Sequence, residues 1–419
     1  MLTIEQKEQF NEVLETLGGN LDISETQFNA AVTSYESVGT WLSKDDSELA
    51  PYNPTIKPQG SFILGTIIKP ISVDDDLDID LVCELSKKND SWTQFDLKKI
   101  VGDQLKANKR IDDLLDEEGR RCWTLKYRQE SDNLKEKYHM DILPAITSEG
   151  YNVILNESYA KAFSAEEVDK LGISITDNKS DNYYSSNTPE DWHKSNPFGY
   201  AQWFFAKASL QQTTKLFSLN ESVKPVPTFQ KERFPLQRVV QILKRHRDMF
   251  YKGKSEEERK NKPISIIITT LASHAYRGEV NIMDALGNVI STMYENIKDY
   301  NPNTGEKEKW VENPVNSLEN FADKWKEFPE RQTHFYNWLN EIKKDLSNIT
   351  SQAERGLSFI NEAMNRPFGE ELMTKTFSNI KNKGLLSSTS TFLSANVNKS
   401  IDTELPKKLP KTKREGFQK

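Results

Sequence analysis

The sequence predicts a mixed α/β (α+β) protein, with a sheet-bearing first half and a helical second half. Three observations carry this reading. Residues 77–85, LDIDLVCEL, alternate acidic and apolar side chains with the two-residue period of a strand. Two further strand-like runs, 122–127 and 138–146, follow it, with a helical stretch at 96–115 in between. From Pro235 onward the apolar residues recur mostly at three and four positions, the period of one helix face. Strands interleaved with helices make a layered core rather than a bundle.

In chain order, the first element expected is a long amphipathic helix over residues 25–42, with Phe28, Ala31, Val32, Tyr35, Val38, Trp41 and Leu42 on one face. The polar, Pro-punctuated residues 43–58 read as loop. Residues 62–71 are apolar and β-branched and read as a first strand, followed by strands at 77–85, 122–127 and 138–146. Pro144 cannot donate to a ladder, which predicts an end or edge position for it. A charged turn is expected over 129–137, and loop or linker over the Ser/Asn/Asp/Thr-rich residues 174–197 and the Pro-rich residues 222–235. Pro235 opens a helix to about Tyr251, with Leu236, Val239, Val240 and Leu243 along one face. Residues 264–275 read as a buried helix or strand, and 318–346 carry an aromatic set including Trp325, Phe335 and Trp338. These features divide the chain into 1–195, 196–382 and a basic, mobile tail at 383–419.

The 419 residues suit two domains or one bilobal unit. A net charge of −7 argues against a protein that coats nucleic acid, because duplex affinity comes largely from Lys and Arg. Cys83 and Cys122 stand far apart in apolar or aromatic settings, which excludes a disulfide framework or a Cys-rich zinc site. The N-terminus lacks the pattern of a signal peptide and no window approaches 18 uninterrupted apolar residues. A cytoplasmic protein without membrane contact is expected.

The residues that carry chemistry begin at Gln59-Gly60-Ser61. Gly60 lets the backbone approach a ligand, and Ser61 offers a hydroxyl and an N–H to phosphate oxygens, although alone such a pair is an ordinary turn. In the strand at 77–85, Asp78 and Asp80 project to one face about 6.6 Å apart. Carboxylates crowded among apolar residues raise one another's pKa unless a cation lies between them, and Mg²⁺ is the natural partner. Asp74 and Asp75 suit a solvated loop. Asp76 shares the face, so Asp76/Asp78 competes with Asp78/Asp80. Asp141, in HMDILP, adds a third carboxylate on another strand; three such groups can hold two metal ions for an in-line phosphoryl displacement. His139 lies on Asp141's face, where a structural role suits it better than ligation of an oxygen-preferring cation. Lys244 stands in the basic run 244–247, just past the apolar stripe, where a cation can point across a cleft; the plainer reading is a solvated helix face.

GSFILGTIIKPI, DDDLDIDLVCEL and YHMDILPA together resemble the CD-NTases, the nucleotidyltransferases related to cyclic GMP-AMP synthase, 2′-5′ oligoadenylate synthetase and the bacterial CBASS enzymes. PLQRVVQILKRHRDMFY, KPISIIITTLASHAY and NPVNSLENFADKW extend the resemblance to roughly residues 25–345. It implies a bilobal, polymerase β-like fold and Mg²⁺-dependent synthesis (Mn²⁺ substituting) of a cyclic di- or trinucleotide in antiphage defence. By this resemblance Asp78, Asp80 and Asp141 are the catalytic metal-binding triad, and Gln59, Gly60, Ser61, Lys244 and Ser265 bind nucleotide. The implied partners are nucleoside triphosphates with ATP among them, an effector that reads the product, and a regulatory protein; no stable duplex DNA binding is expected, since a zinc thumb has no counterpart here. Ile266 follows Ser265 where cyclic GMP-AMP synthase carries a base-stacking Tyr. A linear-oligonucleotide or RNA nucleotidyltransferase, and a catalytically dead scaffold, are the alternative readings.

Overall fold

The computed structural model describes residues 2–71, 77–128, 137–148, 170–211 and 229–382. The tail at 383–419, most of the turn at 129–137, the loop acids Asp74–Asp76 and much of 222–235 lie outside them.

Two capped helices open the chain. Thr3 and Gln6 close a capping box on α1 (Ile4–Leu21), and Ser24 and Gln27 close one on α2 (Glu25–Leu42). The sequence reading passed over α1, although Phe10, Val13, Leu14, Leu17 and Leu21 follow its cap at helical spacing and are buried. Then come β1 (Thr55–Pro58), α3 (Gly60–Ile63), β2 (Leu77–Leu85), α4 (Gln94–Lys106), α5 (Lys109–Asp112), β3 (Trp123–Tyr127), β4 (Tyr138–Thr147), β5 (Ile173–Ile175) and β6 (His193–Ser195).

The sheet order is β1-β2-β4-β5-β6, with β3 also on β4. β2 and β4 are parallel, and every other pairing is antiparallel. Alternation splits β2 cleanly. Leu77, Ile79, Leu81, Cys83 and Leu85 face one core with α2 and α4, whereas Val82, Leu143 and Ala145 on the opposite face join a second core built by the helices. Asp78, Asp80 and Asp141 occupy that second face before the apolar packing begins.

The helical half comprises α6 (Pro197–Ala208), α7 (Pro235–Tyr251), α8 (Glu256–Lys260), α9 (Ser265–Ala275) and α10 (Ile282–Thr292), then α11 (Lys324–Glu327), α12 (Pro329–Ala353), α13 (Leu357–Phe368) and α14 (Glu370–Asn382). α1 packs into this half: Asn11 Oδ1 accepts the N–H of Ile282, and Asn20 is hydrogen-bonded to Thr376 and Asn379 on α14. Among the described residues no helix is long and apolar enough to cross a membrane.

Several local expectations are corrected. Residues 62–71 form no strand: α3 is followed by a segment without a ladder, because its side chains fill two cores at once. Phe62 stacks on Phe28 at 4.9 Å, and Ile67 joins the α2 side, while Ile63 and Leu64 join the helical core. The loop at 43–58 ends in β1, and the one at 174–197 contains the end of β5 and all of β6. The helix at 96–115 breaks into α4 and α5, the second capped by Asn108. Pro144 sits in the interior strand. Its carbonyl accepts from Thr176 on the side where β3 pairing stops at Ile142 and β5 pairing starts at Ala145, so its missing N–H falls in the gap between partners. The helical half also holds two small hairpins, β7 (Lys298–Tyr300) with β8 (Lys307–Trp310), and β9 (Glu312–Asn313) with β10 (Asn316–Asn320).

Asp177, just past β5, ties the sheet to the turn before β3. Its buried carboxylate accepts from Arg120 Nε at 2.7 Å and Arg121 Nε at 2.9 Å. Burial alone would raise its pKa, but hydrogen bonds from Arg120, the Lys179 N–H and Arg121 outweigh burial and hold it at about 2. A carboxyl depressed in the folded state stabilises fully above its ordinary pKa and loses that stabilisation as pH falls through the folded value. Asp177→Asn should therefore cost about 2 kcal/mol in urea unfolding at pH 7, a gap that narrows as pH falls from about 4 toward 2.

Candidate active site

The acidic face is set by strand register. Asp80 lies directly opposite Asp141 on the parallel neighbour, and Asp78 lies opposite His139. Burial first, then the charges of Asp141 and Asp78, push Asp80 up to about 6, with Lys244 opposing them. Asp78 is different: its side chain is 79% exposed, with His139 Nδ1 3.8 Å from its Oδ1. Asp141 Oδ1 accepts a 2.6 Å hydrogen bond from the hydroxyl of Thr124, its partner on β3. Asp76, the competing member of the acidic pair, lies outside the described residues.

The Gly-Ser turn meets this face at one point. Gly60 has φ +59°, and a Cβ there would overlap Asp80 Oδ2. Glycine is thus required twice, for its left-handed backbone and for the approach of the carboxylate. Gln59 contributes through its main chain, its N–H donating to the Asp80 carbonyl at 2.8 Å. Ser61 follows at the half-exposed start of α3.

Lys244 reaches the same region from the helical half. The reading of 244–247 as a solvated face is corrected, because 13 of the 17 residues of α7 are buried and each cation of the run has a partner. Lys244 Nζ donates to the Thr66 carbonyl at 3.2 Å, Arg245 Nε to that of Phe368, and His246 Nε2 lies 3.1 Å from Asp345 Oδ2. Arg247 Nη1 donates to Pro263 O and to Ser265 Oγ, the latter at 2.9 Å. Burial first, then Arg247, pull the Lys244 ammonium down to about 7, against the charges of Asp248, Asp80 and Asp78. Ser265, at the start of α9, is therefore joined to Lys244's surroundings through Arg247 rather than placed against the acids.

The oxygen donors fit a hard divalent cation held jointly with a ligand. Among the described residues no group of three His, Cys, Asp or Glu side chains comes together to hold a metal ion by itself. Mg²⁺ is typically held by one or two carboxylates plus substrate phosphates rather than by an all-protein cage. Asp80 and Asp141 in register, with Asp78 open to solvent beside them, match that arrangement.

Sequence reasoning missed how α7 grips the segment after α3. Gln237, Gln241 and Lys244, at i, i+4 and i+7, donate to the carbonyls of Leu64, Ile67 and Thr66. Gln241 also donates to Asp22, at the end of α1, which accepts from Arg238 as well. The signal was present as a polar stripe beside the apolar one on the same helix. Thr124 gave no signal, since a threonine in a strand is ordinary. Gln241→Met, which keeps the volume but removes both donated bonds, should cost about 1–3 kcal/mol in urea unfolding; an unchanged midpoint would show that the grip contributes nothing.

Comparison with known proteins bears on this geometry. Residues 54–144 match the family described as cyclic GMP-AMP synthase DncV-like, nucleotidyltransferase domain, a span that contains Gln59–Ser61 and all three aspartates. A curated c-di-GMP synthase of Roseivirga ehrenbergii is 27% identical over 350 residues, covering 83% of this chain and 82% of the relative. The fold is shared with the Bradyrhizobium diazoefficiens CD-NTase CdnG in complex with GTP (19% identity, TM-score 0.61, 88% of this chain and 99% of that one). It is also shared with Escherichia coli MS115-1 CdnC with ATP (11% identity, TM-score 0.54, 85% and 96%). With its acidic strands inside a match to a DncV-like nucleotidyltransferase domain and most of its length aligned with a curated synthase, the chain is similar to the CD-NTases in its catalytic domain and shares their fold.

Proposed function

We propose that this enzyme makes a cyclic dinucleotide signal from purine nucleoside triphosphates, with Mg²⁺ or Mn²⁺ bound at Asp78, Asp80 and Asp141, as the alarm step of an antiphage defence. The observation that carries the reading is the register of Asp80 against Asp141 on parallel strands, with Gly60 seated on Asp80. The relative named as a c-di-GMP synthase and the GTP complex of CdnG favour guanine in the product; the ATP-bound CdnC keeps adenine in the test.

The chemistry is nucleotidyl transfer. An acceptor ribose hydroxyl attacks the donor's α-phosphorus, the bond from that phosphorus to the bridging oxygen breaks, and pyrophosphate leaves with the electron pair. When bound, the divalent cation neutralises the triphosphate and the attacking and leaving oxygens. Asp80 and Asp141 orient what binds between them, and one of the three carboxylates takes the hydroxyl proton. Gly60 and Ser61 present main-chain and hydroxyl groups to the donor's phosphates. Lys244, whose ammonium burial pulls down to about 7, is more fully protonated when a triphosphate supplies countercharge. A second transfer, from the 3′ or 2′ hydroxyl of the linear intermediate to its own 5′ triphosphate, closes the ring.

Purified protein incubated with Mg²⁺ and the four labelled nucleoside triphosphates, then phosphatase and mass spectrometry, tests the reading. Wild type should yield a phosphatase-resistant cyclic dinucleotide. Asp80→Asn and Asp141→Asn should each lower the rate by about 10³-fold or more, and Lys244→Ala by about 10–100-fold. A cyclic trinucleotide would correct the ring size, label in added RNA would favour a polymerising enzyme, and the same product from both Asn variants would sink the assignment.

A further inference from the structure

We propose that Thr124 is a positioning residue for Asp141, holding one carboxylate oxygen so that the other is presented to a divalent cation; the inference rests on the function proposed above. The Thr124 hydroxyl donates to Asp141 Oδ1 at 2.6 Å, across a directly opposed pair of the β3–β4 ladder. Such a short bond is typical of a charge-assisted hydrogen bond to an ionised acceptor.

The neighbours on β3 show why a neutral donor stands there. Side chains 122, 124 and 126 share the acidic face. Cys122 packs against the helical core, so it continues the apolar end of that face. Lys126, opposite His139, is engaged by Asp116 at 2.6 Å and does not neutralise the aspartates. Thr124 therefore fixes the Asp141 carboxylate without cancelling its charge. A lysine at that position would supply the countercharge meant for a metal ion, and a valine would leave the carboxylate free to rotate.

β3 thus fixes Asp141 by a hydrogen bond, whereas the Gly-Ser turn packs against Asp80. Asp80 is confined by Gly60 and by the Gln59 N–H on its own carbonyl. Asp141 is held by a side-chain donor, Asp80 lies against Gly60, and Asp78 stands in solvent. Partners that orient a ligating carboxylate typically contribute about 10–100-fold to metal affinity or activity.

The test compares the full chain as wild type, Thr124→Val and Thr124→Ser. Titration calorimetry with Mn²⁺ alone should show about 10-fold weaker binding for T124V and binding within about 3-fold of wild type for T124S. Melting in EDTA should confirm that both fold. In the nucleotide assay T124V should lose kcat with little change in KM, and T124S should restore it. Equal Mn²⁺ affinity for T124V and wild type, or T124S as weak as T124V, would overturn the proposal. Absence of Mn²⁺ binding by wild type would overturn it together with the metal assignment. Identical product from wild type and Asp141→Asn would remove Asp141 from the catalytic machinery and leave the Mn²⁺ comparison to decide Thr124.

Discussion

Two carboxylates of like charge are locked face to face by the β2–β4 register, and much of the local structure answers to that repulsion. Asp80 is pushed up to about 6 by burial and by Asp141 and Asp78. Even the Cys122 thiol is raised, to about 12, by burial and then by Asp141 and Asp80. Nearby cations do not resolve the conflict: Lys126 belongs to Asp116, and Lys244 is itself drawn toward neutrality by burial. On the function proposed above, a divalent ion and a phosphate-bearing ligand would complete such a site.

The second constraint is how the helical half meets the acids. The turn after α3 has no strand partner, so its carbonyls need donors from elsewhere. Gln237, Gln241 and Lys244 of α7 supply them, and Asp22 ties the same helix to the end of α1. The segment that begins at the Gly-Ser turn is therefore held by the helical half as firmly as by the sheet. Lys244 belongs to both systems, as a clamp on Thr66 and as a charge felt by Asp80. Asn20, hydrogen-bonded to Thr376 and Asn379, continues this connection from α1 to α14.

Much of this was legible in the sequence, for identifiable reasons. β2 could be read to the residue because one face is buried throughout and the other carries acids except at Val82. The grouping of Asp78, Asp80 and Asp141 was implied by apolar neighbours around the carboxylates, whereas the opposition of Asp80 to Asp141 is set by strand register. The segment 62–71 was misread because its residues are apolar for a different purpose, feeding two cores on opposite sides, and composition does not separate that from a strand. Pro144 was misread because its tolerance in an interior strand depends on the gap between β3 and β5, a tertiary fact. The basic run of α7 looked solvated because its partners, Asp345, Phe368 and Thr66, are 99, 123 and 178 residues away. Thr124 was illegible for the same reason: only register places it against Asp141.

On the proposed function, the Asp80–Asp141 pair is a destabilising charge conflict kept for a divalent cation. Melting temperature in EDTA and then in Mg²⁺, for wild type, Asp80→Asn and Asp141→Asn, tests it most directly. Each neutral variant should melt a few °C above wild type in EDTA, about what a relief of 1–2 kcal/mol produces, and Mg²⁺ should raise wild type but not the variants. Variants that melt below wild type in EDTA, or that gain the same increment from Mg²⁺, would contradict it.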